Sequence, residues 1–291
     1  ALGDAVAGNT SDIASNAADI AGNASDIAYN VSDIGNNAAG VSTNAAGVST
    51  NAAGVSGNTT GIATNTASLS DVEDFMDYVS VDTADNTITF SGANLHIESG
   101  GGDTSESQST TGLSGLGNLI IGYDEDTSNG VDKSGSHNLV VGAYNSYSSY
   151  GGFVAGRNNS VSGAYASVSG GYYNSATESS SSVSGGTYNQ AIGTFSTVSG
   201  GYDGEASGFG ASISGGNNNS AGGTYSSISG GRNGAVSGYG GSISGGYTGT
   251  ASGSYSSVSG GYYATASGAY STVLGGYYQT ASGSYDTEYN D

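Results

Sequence analysis

Residues 251–276 read ASGSYSSVSGGYYATASGAYSTVLGG. The stretch repeats one pattern with a step of fifteen residues. An Ala or Val opens it, Gly stands two places on, an aromatic ring two places after that, and a Val or Ile precedes a closing Gly pair. Read outward, the first slot recurs at Val161, Ala176, Ala191, Ala206, Ala221, Val236, Ala251, Ala266 and Ala281. The second slot lies seven residues later, at Val168, Val183, Val198, Ile213, Ile228, Ile243, Val258 and Val273. An odd spacing cannot keep two side chains on one face of one strand, because strand side chains alternate with a period of two. Each repeat therefore reads as two short strands separated by a bend. Fixed-length repeats of this kind are the signature of a solenoid. At ~4.8 Å per turn, roughly eleven turns give a roll ~50 Å long. NLIIG (118–122), NLVVG (138–142) and GFVAG (152–156) read as degenerate first turns. The inward slots hold only small or branched residues. One roll is therefore expected to be marginal alone, with three rolls sharing an axis to bury the Val/Ile rows together.

Upstream, the period changes to seven. Asn stands at Asn9, Asn16, Asn23, Asn30, Asn37, Asn44, Asn51, Asn58 and Asn65. A branched aliphatic residue follows each by four: Ile13, Ile20, Ile27, Ile34, Val41, Val48, Val55, Ile62 and Leu69. Alternating steps of four and three make the a/d seam of a left-handed coiled coil. The aliphatic residues take a and the asparagines take d. Leu2 and Val6 extend the seam backward, and Val72, Met76 and Val79 extend it forward. Gly22, Gly35, Gly40, Gly47, Gly54, Gly57 and Gly61 each cost about 1 kcal/mol relative to Ala in a helix. The stability of this segment must therefore come from association along the seam. Nine polar layers exceed what register alone requires; rings of Asn amides offer N–H donors to water or an anion.

IASNAAD (13–19), IAYNVSD (27–33) and VSTNAAG (41–47) resemble the Val/Ile-x-x-Asn-Thr stalk repeats of trimeric autotransporter adhesins. The fifteen-residue repeats resemble the left-handed β-roll heads of the same family. The resemblance implies a three-stranded stalk whose nine asparagines point inward and hold anions, typically chloride. Two departures stand beside it. The stalk precedes the roll here, and no membrane-anchor barrel follows within the 291 residues. Thr follows the seam Asn only at Thr10, Thr59 and Thr66. With the resemblance, the chain reads as a fibrous α+β homotrimer: an N-terminal left-handed parallel coiled coil, then a trimeric left-handed parallel β-roll or β-solenoid. The expected segments are 1–80 for the stalk, 81–116 for a β connector with a Ser/Thr/Gly loop, and 117–291 for the roll. In the connector, Ile88, Phe90, Leu95 and Ile97 fall at strand spacing, with His96 facing solvent.

Composition narrows the function. The net charge is −21 with three basic residues, Lys133, Arg157 and Arg232. Little is available to neutralise phosphates or to hold an anionic membrane surface, so neither partner is expected. No apolar run is long enough to cross a bilayer as a helix. The first residues carry no signal-peptide pattern, as expected of a mature chain. With two His and no Cys, catalysis is not expected. The surface candidates are Tyr172, Tyr202, Tyr247, Tyr262 and Tyr277, which follow the Gly pair and could contact glycans, a receptor or another fibre. Packing of these rings on the turn below is the competing reading. Asp124, Asp126 and Asp132 faintly resemble a calcium loop, but its Gly is displaced and no closing Glu follows. The expected role is an extracellular or cell-surface structural and adhesive fibre, with end-to-end self-assembly into filaments. A phage-type tail fibre on a virion is the alternative. An ice-binding solenoid ranks last, because the outward slots hold Ser and Tyr where Thr ladders are needed.

Overall fold

The computed structural model describes residues 1–126 and 130–289. The chain divides into two compact units, Ala1–Leu95 and His96–Asp291.

The first unit is dominated by one helix, α1, Leu2–Met76. Its 75 residues span about 112 Å at 1.5 Å per residue. No Pro interrupts it, and none of its residues is buried. At its end, the Asp77 N–H bonds the Glu73 carbonyl at 3.2 Å and the Tyr78 N–H bonds the Phe75 carbonyl at 3.1 Å. Two antiparallel strands follow, β1 (Val79–Asp82) and β2 (Thr87–Phe90), with Val79 opposite Phe90 and Val81 opposite Ile88. Val79 was expected to continue the seam; it opens β1 instead and is buried there. The reason is local. Val79 and Val81 alternate with polar residues, which suits a strand. The turn beyond them is built by Asp82, whose Oδ1 accepts the Ala84 N–H at 2.8 Å, and by Asn86 at φ +60°. Leu95 and Ile97, expected on a strand face, lie in irregular backbone.

The second unit is a parallel β-solenoid made of two stacks of short strands, twelve in one sheet and ten in the other. The fifteen-residue step is the register itself. Val168 pairs Val183 and Val183 pairs Val198 in the longer sheet; Ala176 pairs Ala191 and Ala191 pairs Ala206 in the shorter. The degenerate motifs are indeed the first turns: Leu119 pairs Leu139, and Leu139 pairs Phe153.

The interior is narrow. The Val/Ile row of one sheet meets the Ala row of the other, and from Val154 to Ala281 both rows are at most 2 % exposed. The expectation that Val/Ile rows need neighbouring rolls is therefore corrected. A small Ala column lets the two sheets approach, so one chain closes its own core. Backbone kinks close each turn. The second glycine of each pair takes positive φ, for example +93° at Gly231, and a Cβ there would stand 2.6 Å from the Gly246 carbonyl oxygen. Two further left-handed residues complete the turn, such as Tyr173 at φ +53° and Ser180 at +55°. Left-handed backbone costs non-Gly residues roughly 1–2 kcal/mol each, so the stacking between turns must offset it.

Candidate functional site

On α1 the nine seam asparagines and the nine aliphatic residues between them are all exposed. The aliphatic side chains are 58–68 % exposed from Ile13 to Leu69. Residues at alternating steps of three and four share one helix face, so they form an unbroken apolar stripe interleaved with amides. All three Thr that follow a seam Asn bond back to the seam: the Thr10 hydroxyl donates to the Val6 carbonyl at 2.8 Å and the Thr66 hydroxyl to the Ile62 carbonyl at 2.9 Å. Thr59 does the same with Val55 at 2.9 Å. The amides of Asn9 through Asn65 bond nothing within the described chain, so their N–H donors are available to water, an anion or one another.

On the solenoid, Tyr172, Tyr202, Tyr247, Tyr262 and Tyr277 fall in one column, bridged turn to turn through Thr187, Asn217 and Arg232. They are not equivalent. Tyr262 lies between Tyr247 at 4.9 Å and Tyr277 at 5.0 Å, with ring planes within 10°. Their faces are spent on each other. Desolvation, and then the neighbouring phenols of Tyr263, Tyr247, Tyr277 and Tyr278, push the Tyr262 hydroxyl above its ordinary pKa. For that part of the column, packing on the next turn is the reading the geometry supports. Tyr202 differs: its one ring neighbour among the described residues is Tyr188, edge-on at 5.8 Å, and it remains half exposed.

A second aromatic column runs along the bend. Tyr255, Tyr270 and Tyr285 stack at 5.2 and 5.0 Å. Where the bend residue is Gly210 or Gly240, the ring shifts one place earlier. Phe209 and Tyr239 then carry the column edge-on from Phe195 through Tyr225 to Tyr255. Each of the three basic side chains is engaged. Arg157 lies over the rings of Tyr144 and Tyr172 at 5.5 and 5.8 Å, and Arg232 over Tyr247 at 5.6 Å. Lys133 Nζ stands 3.4 Å from Asp124.

The calcium candidates do not converge. The Asp124 carboxylate faces Lys133 and accepts the Tyr147 hydroxyl at 3.1 Å. Asp132 accepts the Ser134 N–H at 3.0 Å and its hydroxyl at 2.7 Å, which lowers the Asp132 pKa. Asp126 is exposed, and Thr127, Ser128 and Asn129 of that loop lie outside the described residues. Among the described residues, no three His, Cys, Asp or Glu side chains are grouped to hold a metal.

One internal feature escaped the sequence reading. Asn145, Asn159, Asn174 and Asn189 are buried and stack turn on turn. The Oδ1 of Asn159 accepts the Asn174 N–H at 2.8 Å, and Asn174 passes the same bond to Asn189 at 2.9 Å. The Nδ2 of Asn174 donates to the Gly170 and Gly186 carbonyls at 3.1 and 3.0 Å. The available signal was an Asn two places before the Ala/Val slot, as in YYNSA and TYNQA.

Compared with known proteins, the sequence matches no family model and no curated protein.

Proposed function

We propose that this chain is a non-enzymatic subunit of an extracellular homotrimeric fibre, with α1 as a three-stranded coiled-coil stalk and the solenoid as its adhesive or structural roll. The observation that carries the reading is the contrast between the two units. The solenoid buries its own aliphatic rows, whereas α1 buries nothing along 75 residues and leaves every seam aliphatic exposed. Burying each such side chain contributes roughly 1.5–3 kcal/mol, more than the roughly 1 kcal/mol that each helix glycine costs. An isolated helix lacks the first term, so copies of the same stripe are its natural cover. Three strands are preferred because the Ile/Val-x-x-Asn spacing resembles trimeric adhesin stalks, and because three amides at one level can share their donors with a chloride ion or water. The stacked rolls supply surface chemistry made of hydroxyls, amides and phenols.

Sedimentation equilibrium and electron microscopy of the purified chain test this. The expected result is a mass of three chains and rods with a thin segment near 110 Å, the rise of α1. Filaments would add end-to-end assembly, whereas single rods of one length favour the virion-borne alternative. A monodisperse monomer at micromolar concentration would refute the stalk.

A further inference from the structure

We infer that the solenoid carries a binding cleft for a neutral sugar ring, formed where the tyrosine columns are interrupted. The cleft is a shallow, open hollow of about 370 Å³ lined by Tyr173, Ser175, Tyr188, Gln190, Tyr202 and Asp203. Two substitutions in the repeat open it. Thr187 stands where the column from Tyr172 to Tyr202 would carry a ring. Asp203 stands where the column of left-handed residues through Tyr173 and Tyr188 would carry the next one. A ring is thus missing from each column on adjacent turns, and the notch opens beside Tyr188 and Tyr202, whose own rings meet edge-on at 5.8 Å. The following turns carry Asn217 and Arg232 in the first column and Asn218, Asn233 and Thr248 in the second, and ring stacking resumes at Tyr247, Tyr262 and Tyr277.

The chemistry of the notch selects its guest. Tyr188 is stacked on Tyr173 at 5.3 Å, which fixes one wall. Tyr202 is 50 % exposed and offers an apolar platform of the kind that takes the C–H face of a pyranose. The Asp203 carboxylate, Gln190 amide and Ser175 hydroxyl enter no side-chain hydrogen bond among the described residues. Together they present acceptors for adjacent hydroxyls, with donors from the amide. A mostly preformed hollow with a few convergent polar groups is the general form of a small-ligand site. The cleft contains no cation and the chain carries a net charge of −21, so acidic sugars are repelled and neutral ones are not. This inference deepens the proposed adhesive role. Its test is separable, because the cleft lies within one chain and does not require the stalk to trimerise.

Saturation-transfer NMR on the full chain would use methyl glucoside, methyl galactoside and N-acetylglucosamine as probes, with N-acetylneuraminic acid as the charged comparison. At least one neutral sugar should receive saturation from tyrosine resonances, with an affinity of about millimolar per site. Asp203→Ala and Gln190→Ala should each weaken it about tenfold, a loss of roughly 1.4 kcal/mol, while Tyr262→Ala leaves it unchanged. Circular dichroism checks that each variant keeps the solenoid fold, and Asp203→Asn replaces Asp203→Ala if that variant unfolds. Absence of binding by all three neutral sugars overturns the proposal. So does equal binding of N-acetylneuraminic acid, an equal loss in Tyr262→Ala, or binding of a tri-arginine peptide alone, which would make the notch an ion-pairing site.

Discussion

Asn189 Oδ1 accepts the backbone N–H of Gly204 at 2.9 Å, one full turn along the solenoid. The same side chain donates to the Gly185 and Gly201 carbonyls at 2.9 and 3.1 Å, and the residue is fully buried. Replacing it with Ala would leave the buried Gly204 N–H without a partner, whereas the Gly201 carbonyl keeps the Thr187 N–H at 3.0 Å and the half-buried Gly185 carbonyl can turn to water. An orphaned group of this kind costs about 1–3 kcal/mol. Asn189→Ala should therefore lower the stability of the roll by about 2 kcal/mol or more in denaturant unfolding. Gln190→Ala, at an exposed strand position, should change it by less than about 0.5 kcal/mol.

The two glycines of each pair should respond in opposite ways. A Cβ on Gly230 meets nothing within 4 Å, whereas one on Gly231 collides with the Gly246 backbone at a φ of +93°. Gly230→Ala should be neutral or slightly stabilising, since it reduces the freedom of the unfolded chain by up to roughly 1 kcal/mol. Gly231→Ala should destabilise by at least about 1–2 kcal/mol. Equal melting temperatures for the two variants would contradict the stacking described above.

Much of this architecture was legible in the residues. The fifteen-residue step gave the strand register, and the odd spacing between Val161 and Val168 placed the bend. What the repeat could not disclose was distance across the interior. Whether a Val row meets the Ala row of its own chain or the rows of another depends on how closely the sheets approach, and Ala at 191, 206 and 221 sets that. The buried asparagines were hidden for a related reason: Asn in a Ser- and Gly-rich repeat reads as turn chemistry, and only stacking shows its Oδ1 serving the next turn. Val79 was misread because a heptad step and a strand start can fall on the same residue. In the candidate cleft, Gln190 and Asp203 departed visibly from the repeat, but the missing rings beside them are a property of three dimensions.

The segment before the roll should respond to acid. Hydrogen bonds from Ser99 and then Ser114 hold the Glu106 carboxyl at about 2, below its ordinary 4.5. Ser114 supplies both its N–H, at 2.5 Å, and its hydroxyl, at 2.7 Å. Hydrogen bonds from Ser107 and Ser105 likewise bring Asp103 to about 2. A depressed carboxylate stabilises the fold above its unfolded pKa, and that contribution is lost as pH falls toward the folded value. Amide exchange between Ser99 and Ser114 should therefore accelerate as pH drops from about 4.5 to about 2 relative to the intrinsic rate, while the Val183 and Val198 turns stay protected. Glu106→Gln should remove most of that pH response and leave the segment loosened at neutral pH.

The stalk gives the most direct prediction about assembly. Val48 sits at the middle of the seam and is 68 % exposed in the single chain, so nothing within the chain opposes a charge there. If α1 stood alone, Val48→Asp would be a surface substitution with an effect under about 0.5 kcal/mol. In a three-stranded core it would place three carboxylates at one level, without a cation at the neighbouring positions to answer them. Desolvation of each charge and their mutual repulsion would each cost several kcal/mol. The expected outcome is loss of the trimer in sedimentation and a marked fall in helical signal at 222 nm, with the solenoid's own unfolding transition unmoved. Asp19→Asn, on the flank of the same helix, should leave both unchanged. A helical signal indifferent to Val48→Asp would mean that α1 draws its stability from somewhere other than its stripe.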